Sequence, residues 1–596
     1  MKNITAALAL LAPIWTQIAD ISGVPGVSVG AFYEGEVVLR HSIGYRDLEE
    51  KLPSTSDTIF PIGSLSKAFT AAIYGGLVDE GFLDWESAIR ENLPDFRSTS
   101  PQVEQNANAI DLLSHRTGII GGETFYFHDQ PLLIDSSLTA TFGGLPSVYP
   151  FRSTMQYNNL GYSLTSKLMS LKTHMNYGDL LETYITKPLG MNRTGVEADR
   201  KTAPNTAKLY MVSEDGTAVR NARPLYFENS QMIASGGIWS SIDDLLVFYQ
   251  EVLNAASQQL RGNTSAEKNQ SPLKQLKTLL TGHTFFPSQR RSLNEQTYGL
   301  GWIRTQLPGE LGAIGLNPGL VKNMPIVGRS SPSRLTIYHQ GNVPGATSAV
   351  YLFPDSSSGV VVLANAYGLS DVPDWIAQSI IDVLFEEDTD TPYVQLAHEA
   401  VFSYQKWCAK TVNDLAALQR PNSAPAALDG FSGVYENGAK TFKLLVIFED
   451  GKLKLQFQGL PEEEFDLNHS HDDVFSWFIS PRGQNERGRN IFAASHYLVR
   501  FQRDSITRKV TGLRWAHDGS ENGELFERRP ALRLFASSVS TLSENLDTKA
   551  LSISLSVIIM SELRLKWQAN QSQALTILSR SIQSIATSVV LYSLIY

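Results

Sequence analysis

The 596-residue chain has one cysteine, Cys408, so no disulfide can form within it and its stability must come from buried cores. That usage fits a reducing compartment. The chain also lacks any stripe of Lys and Arg: 50 basic residues against 60 acidic ones give a formal charge of −10, spread along the sequence. A nucleic-acid partner needs a positive footprint, so that class of function is excluded, and no zinc-finger spacing is present. Long apolar runs are missing too, and none reads as the ~20 consecutive apolar residues of a membrane span; residues 585–596 are too short. Metal-ligand clusters are scarce. His469-Ser-His471-Asp-Asp473 imitates the start of a metallo-hydrolase site, but Val474 stands where the next histidine belongs, and the run reads as a solvated loop between strands. The expected location is the cytoplasm, with secretion as the alternative, and no metal or organic cofactor is expected.

What is there is ordinary globular composition, 42% apolar and 10% aromatic, in a chain too long for one core. A large domain with at least one smaller domain is expected. The opening MKNITAALALLAPIW could serve as a signal peptide, but Leu8, Leu11, Ile14 and Ile18 keep a helical period past the point of cleavage, which favours a structural helix. GVSVGAFYEGEVVLRHSIGY reads as two strands about a Glu34-Gly35 turn. From Ser64 the pattern turns to an amphipathic helix, with Phe69, Ile73 and Leu77 on one face and Gly81 past its end. Helices are expected at 160–172, 177–185 and 374–387, and strands at 335–339, 346–353 and 359–363. Strands at both ends with helices between predict a mixed α/β domain over residues 1–395, its sheet closed by the two ends. A helical linker, 396–428, has a linker's composition towards its end (PNSAPAALDG). Short alternating runs then predict a small antiparallel β-barrel over 429–530. Residues 531–596 are Ser- and Leu-rich without dependable caps or turns, and no fold is expected of them.

Serine is a poor nucleophile unless a base lies within hydrogen-bond reach and donors await the oxyanion. Ser64-Leu65-Ser66-Lys67 offers that arrangement, because residues three apart share a helix face and a helix N-terminus favours negative charge. The pattern alone is weak: Ser265…Lys268 and Ser271…Lys274 repeat it in what reads as a polar surface loop. Ser64 differs in following a turn and in having apolar neighbours on both sides. Gly26-Val-Ser28-Val-Gly30 satisfies the nucleophile-elbow pattern, yet the chain continues as a strand where an elbow needs a helix, so Ser28 reads as structural.

Ten phrases in order, PGVSVG, FPIGSLSKAFTAA, GLVDEGFLDW, DLLSHRTG, YNNLGY, KPLGM, ASGGIWSSIDDL, YGLGW, HQGNVPG and GVVVLANA, resemble the serine β-lactamase and penicillin-binding-protein-like superfamily, in its class C, esterase and D-aminopeptidase branch. The resemblance implies a β-lactamase/transpeptidase-like α/β (α+β) catalytic domain. It implies that Ser64 is acylated, that Lys67 and Tyr157 move its proton, and that Asn159, His339, Gly341 and Asn342 bind substrate, with the N–H groups of Ser64 and Asn342 as the oxyanion hole. His115, in LLSHRTG, is expected to cap or pack rather than catalyse. His339 stands where penicillin-binding enzymes have a lysine, and a largely neutral histidine there disfavours substrates with a free carboxylate. The small barrel resembles the lipocalin-like C-terminal domains of some members, expected to cover one side of the cleft or to mediate oligomers. The expected function is hydrolysis of an ester or amide of a small-molecule or peptide-like substrate through a Ser64 acyl-enzyme. The alternatives are an acyltransferase or transesterase of secondary metabolism, as in some similar fungal proteins, and a non-catalytic scaffold, against which the intact Ser, Lys, Tyr and Asn set argues.

Overall fold

A computed structural model of the protein describes residues 4–122, 132, 135–196, 203–221, 230–260, 271–287, 295–385, 390–420, 422–423, 425, 427–517 and 522–529. The segment 531–596 and the Ser265…Lys268 pair lie outside the described residues.

A nine-stranded antiparallel sheet organises the large domain. In chain order its strands are β1 (Gly26–Tyr33), β2 (Glu36–Asp47), β3 (Leu52–Pro53), β4 (Thr284–Phe285), β5 (Thr297–Tyr298), β6 (Ile303–Leu307), β7 (Arg334–Val343), β8 (Ala346–Phe353) and β9 (Ser358–Ala364). They lie in the order β3-β2-β1-β9-β8-β7-β6-β5-β4, so the two ends of the domain meet where β1 pairs β9, Val29 opposite Val362. The β1–β2 hairpin turns at Glu34 (φ 52°) and Gly35 (φ 84°), the left-handed pair that its turn signal predicts.

Helices cover both faces of the sheet. On one face lie α3 (Ser66–Asp79), α4 (Asn159–Thr173) and α5 (Ile242–Leu260), with Val350, Leu352, Val361 and Leu363 below them. On the other lie α1 (Ile4–Ala9), α2 (Ala12–Ile21), α6 (Val372–Phe385) and α7 (Tyr393–Ala417), over Ala349, Tyr351, Val360 and Val362. Burial on both sides is why β8 and β9 read as continuous apolar runs rather than alternating ones.

Several expectations are corrected. Helix α3 is not amphipathic: Ser66 to Leu77 are all buried, because it runs through the middle of the domain with packing on every side. Ser271…Lys274 is not on a polar surface loop; Ser271 and Leu273 are buried. His469 and His471 end a strand rather than sitting in a loop, and Asp473 pairs with Arg503; among the described residues no cluster of three metal-binding side chains occurs. The segment Ile4–Ile21, mean hydropathy 1.5, has the length and composition of a membrane span. Here it forms two helices with Leu8, Trp15, Ile18 and Ala19 buried, and the Trp15 indole donates to Ser379 Oγ at 2.9 Å.

Beyond α7, which already buries Tyr393, Ala397 and Ala400, eight strands close a barrel. They are β10 (Gly433–Asn437), β11 (Lys443–Glu449), β12 (Lys452–Phe457), β13 (Glu464–His471), β14 (Val474–Ser476), β15 (Leu498–Arg503), β16 (Val510–Trp515) and β17 (Glu524–Arg528), each paired with the next and β17 with β10. The strand number and order are those of a lipocalin-like up-and-down barrel. Its inside is filled by aromatic rings, with Phe457 at 5.2 Å from both Trp477 and Trp515. Glu463 and Arg489 form an ion pair that is all but inaccessible, with the guanidinium over Phe465 and Trp477. Removing one partner strands the other charge in that aromatic surround, so Glu463→Leu is expected to cost about 3–5 kcal/mol. The Glu463→Leu/Arg489→Met pair should recover most of it, as equilibrium unfolding in urea would show. A double variant as unstable as the single one would mean that the pair contributes through packing and not through charge.

Candidate active site

Ser64 lies in a single 3₁₀ turn, Gly63–Leu65, that leads straight into α3. Gly63 takes φ +53°, and a Cβ there would stand 3.1 Å from Asn342 N. From Thr58 to Leu77 every residue is buried except Ser64, which alone opens to solvent. Its Oγ accepts from the Tyr157 hydroxyl at 2.9 Å and lies 3.0 Å from Lys67 Nζ.

Lys67 is wholly buried one turn along. Its Nζ donates to Asn159 Oδ1 at 2.6 Å and to Ser235 O at 2.8 Å, and lies 4.8 Å from the centre of the Tyr157 ring. Asn158 fixes the two residues that flank it. As the N-cap of α4 it accepts from Gly161 N at 3.1 Å, and its amide donates to Ile120 O at 2.7 Å. Its backbone N–H donates to Nδ1 of His115 at 3.1 Å, while Gln156 N donates to His115 O. His115 therefore holds the Tyr157–Asn159 segment from behind, its ring 4.3 Å from that of Tyr157, and the expected capping and packing role is what the geometry shows.

Strand β7 closes the site. His339 and Gly341 face the α3 side and Gln340 the other. A Cβ on Gly341 would stand 2.4 Å from Ile62 O and 3.0 Å from Ser64 N, so the backbones of β7 and the Ser64 turn touch. The N–H groups of Ser64 and Asn342 come to the same junction. Oδ1 of Asn342 is buried and finds no hydrogen-bond donor among the described residues. His339 is 1% exposed and both its ring nitrogens are engaged: Nδ1–H donates to Gln340 O at 2.6 Å and Nε2 accepts from Tyr298 OH at 2.9 Å. It adds no charge to the site. Burial, then the nearby Lys67, pushes its pKa down to about 3.

All seven residues singled out in the sequence thus meet around one turn. Four contributors were not singled out: Asn158, Ser235 through its carbonyl, Tyr298, and Ile62, whose carbonyl receives the Ser348 hydroxyl at 2.8 Å. The phrases ASGGIW and YGLGW contain the second and third.

His115 is shifted in the same direction as His339, its pKa lowered well below the usual value by burial, then Lys67, then His339. Both imidazoles are neutral in the fold but protonate near pH ~6.5 once unfolded. Folded pKa values are the lower ones, so the unfolded chain binds more protons between them. Stability is complete above pH ~6.5 and falls as the pH drops, by up to about 1.4 kcal/mol per pH unit for each histidine. Thermal unfolding between pH 7 and 4 should show this, with a shallower slope in His339→Gln. Equal slopes in the two proteins would remove His339 as a cause.

The barrel packs against the large domain. Gln458 Nε2 donates to Leu132 O at 2.7 Å, Val343 and Ala346 of the β7–β8 turn share an apolar cluster with the barrel core, and Asn485 Nδ2 donates to Val212 O at 3.1 Å.

A family model described as Beta-lactamase matches residues 12–381, and one described as a domain of unknown function (DUF3471) matches 419–528. Penicillin-binding protein 4* of Bacillus subtilis (strain 168) is 23% identical over 372 residues, 60% of this chain and 72% of that protein. D-aminopeptidase of Gluconobacter oxydans is 27% identical over 235 residues, 38% of this chain and 41% of its own length. An unguisins hydrolase of Aspergillus campestris is 24% identical over 410 residues, 66% of this chain and 67% of that protein. In fold, the chain is similar to the octameric penicillin-binding protein homologue from Pyrococcus abyssi, with a TM-score of 0.51, 21% identity, and coverage of 88% of this chain and 100% of that one.

Proposed function

Because the chain belongs to the Beta-lactamase family, we propose that it is a serine hydrolase that cleaves an ester or amide bond through an acyl-enzyme on Ser64. The observation that carries this reading is the position of Ser64 Oγ, 3.0 Å from Lys67 Nζ and 2.9 Å from Tyr157 OH. Both distances are those of a nucleophile with its proton acceptor in place. Ser64 Oγ attacks the carbonyl carbon as its proton passes to Lys67. The carbonyl oxygen takes the negative charge between the N–H groups of Ser64 and Asn342. When the tetrahedral centre collapses, the bond to the leaving group breaks, and the proton that Lys67 took passes through Tyr157 to the leaving group, which leaves Lys67 neutral again. Water then attacks the acyl-enzyme, the acid departs, and Ser64 regains its proton.

A neutral, buried His339 supports substrates without a carboxylate beside the scissile bond, because that position offers no cation to meet one. The Oδ1 of Asn342, which meets no donor among the described residues, supports a substrate with an N–H or O–H to donate there. Water as the acceptor is supported by the relatives named D-aminopeptidase and unguisins hydrolase.

Intact-mass measurement after treatment with a fluorophosphonate probe and with p-nitrophenyl acetate tests the reading. One adduct is expected in the wild-type protein and none in Ser64→Ala, with acetate released into water at the same rate whether or not an alcohol is added. No adduct in the wild type would leave a scaffold, and product that appears only with the alcohol would make the protein a transferase.

A further inference from the structure

A cavity of about 410 Å³ opens on the sheet face away from Ser64, where α7 meets the turn at 316–320 and the barrel domain's Ile491. That size falls in the range of about 300–1,000 Å³ that holds small organic ligands. Leu316, Leu320, Tyr367, Tyr404, Trp407 and Ile491 give it apolar walls. Trp407 is fixed in place, its indole donating to Ile491 O at 3.0 Å, although the residue is still 39% exposed. The charge at the mouth has one sign: Lys406 and Lys410 line it, and no carboxylate does. Lys410 is balanced by Asp414 one turn on, whereas Lys406 has no acidic partner among the described residues and lies 5.0 Å from the ring of Phe402.

An apolar chamber with one uncompensated ammonium at its rim matches a ligand with an apolar body and a single negative head. We propose that this cavity is a binding site for an amphiphilic organic monoanion, an alkyl or aryl carboxylate of about eight carbons. It is separate from the acyl-enzyme site. The turn at 312–320 packs under β7 on the Gln340 side, where a Cβ on Gly315 would stand 3.3 Å from Gln340 Cγ, while Ser64 lies on the opposite, α3 side. Binding here needs no turnover, so its success or failure is independent of acylation at Ser64.

Isothermal titration of the full chain with octanoate, against 1-octanol as the neutral counterpart, tests the site. One saturable octanoate site is expected, unchanged after Ser64 has been blocked by a fluorophosphonate, and weaker by about tenfold in Lys406→Met, the scale of one charge-assisted contact. Leu320→Trp, which fills the chamber, should abolish binding while p-nitrophenyl acetate hydrolysis stays at the wild-type rate. No saturable heat overturns the proposal. Octanol binding as tightly as octanoate, with Lys406→Met without effect, overturns the anion assignment, and loss of binding on blocking Ser64 places the ligand in the active-site cleft instead.

Discussion

Lys67→Met and Ser64→Ala are each expected to slow p-nitrophenyl acetate hydrolysis by about 10⁴-fold or more, and the double variant to be no slower than the worse single one. The geometry of Lys67 gives the reason. Two of its Nζ partners, Asn159 Oδ1 and Ser235 O, can only accept, whereas the third, Ser64 Oγ, can donate. A neutral amine has two N–H bonds and one lone pair. Those bonds go to the two carbonyl oxygens, and the lone pair is left facing the serine hydroxyl. Once the proton has moved, the ammonium has three acceptors for three donors. The same pocket thus suits the amine before transfer and the ammonium after it, with no rearrangement between. Methionine keeps the volume but takes the donor from both oxygens, which costs about 1–3 kcal/mol for each group left wanting. Stability is therefore measured beside the rate, by thermal unfolding and by the burst of p-nitrophenol. A folded Lys67→Met protein that acylates within tenfold of wild type would pass the proton-acceptor role to Tyr157.

The parts of this arrangement that could be read in the sequence are those in which side-chain identity is the function. Ser64 and Lys67 are marked by residue type and spacing together with the turn that precedes them, and Tyr157 and Asn159 by the family phrase YNNLGY that contains them. The Glu34-Gly35 turn does so by its need for positive φ, and the barrel by alternation in strands with one face inward. Contributions made by the backbone leave no such trace. The acceptor that Ser235 offers Lys67 is a carbonyl, and any residue there would supply one. Tyr298 lies 41 positions before His339, and only the adjacency of β5 to β6 and of β6 to β7 brings the two together. Helix α3 misleads for a different reason. Its large residues Phe69, Ile73 and Leu77 mark one face, but Ala71, Ala72, Gly75 and Gly76 are small because other elements press close, and small residues read as polar-side filler. A Cβ on Gly76 would stand 2.9 Å from the Tyr184 ring, which shows how tight that side is.

Backbone contact also sets the second large effect, in Gly341→Ala. A methyl group at that position would lie 2.4 Å from Ile62 O and 2.4 Å from Ser348 Oγ, where about 3.4 Å is the least comfortable separation, so β7 and the Ser64 turn must part by about 1 Å. The Ser348 hydroxyl that bridges to Ile62 O at 2.8 Å stands in the way and cannot give without breaking that bond. Overpacking of this kind costs about 1–3 kcal/mol in stability. Its effect on rate is expected to be larger, about 10²–10³-fold in kcat, because the shift moves the Asn342 N–H away from the oxygen whose charge develops only in the transition state. The substrate's ground state gains little from that donor, so KM should change far less than kcat. Adding Ser348→Ala removes one of the two colliding atoms and should restore part of both stability and rate. Steady-state kinetics and thermal unfolding of Gly341→Ala and of Gly341→Ala/Ser348→Ala decide it: a single variant with wild-type kcat would show that β7 does not supply the oxyanion donor, and a loss confined to KM would reassign Gly341 to substrate binding alone.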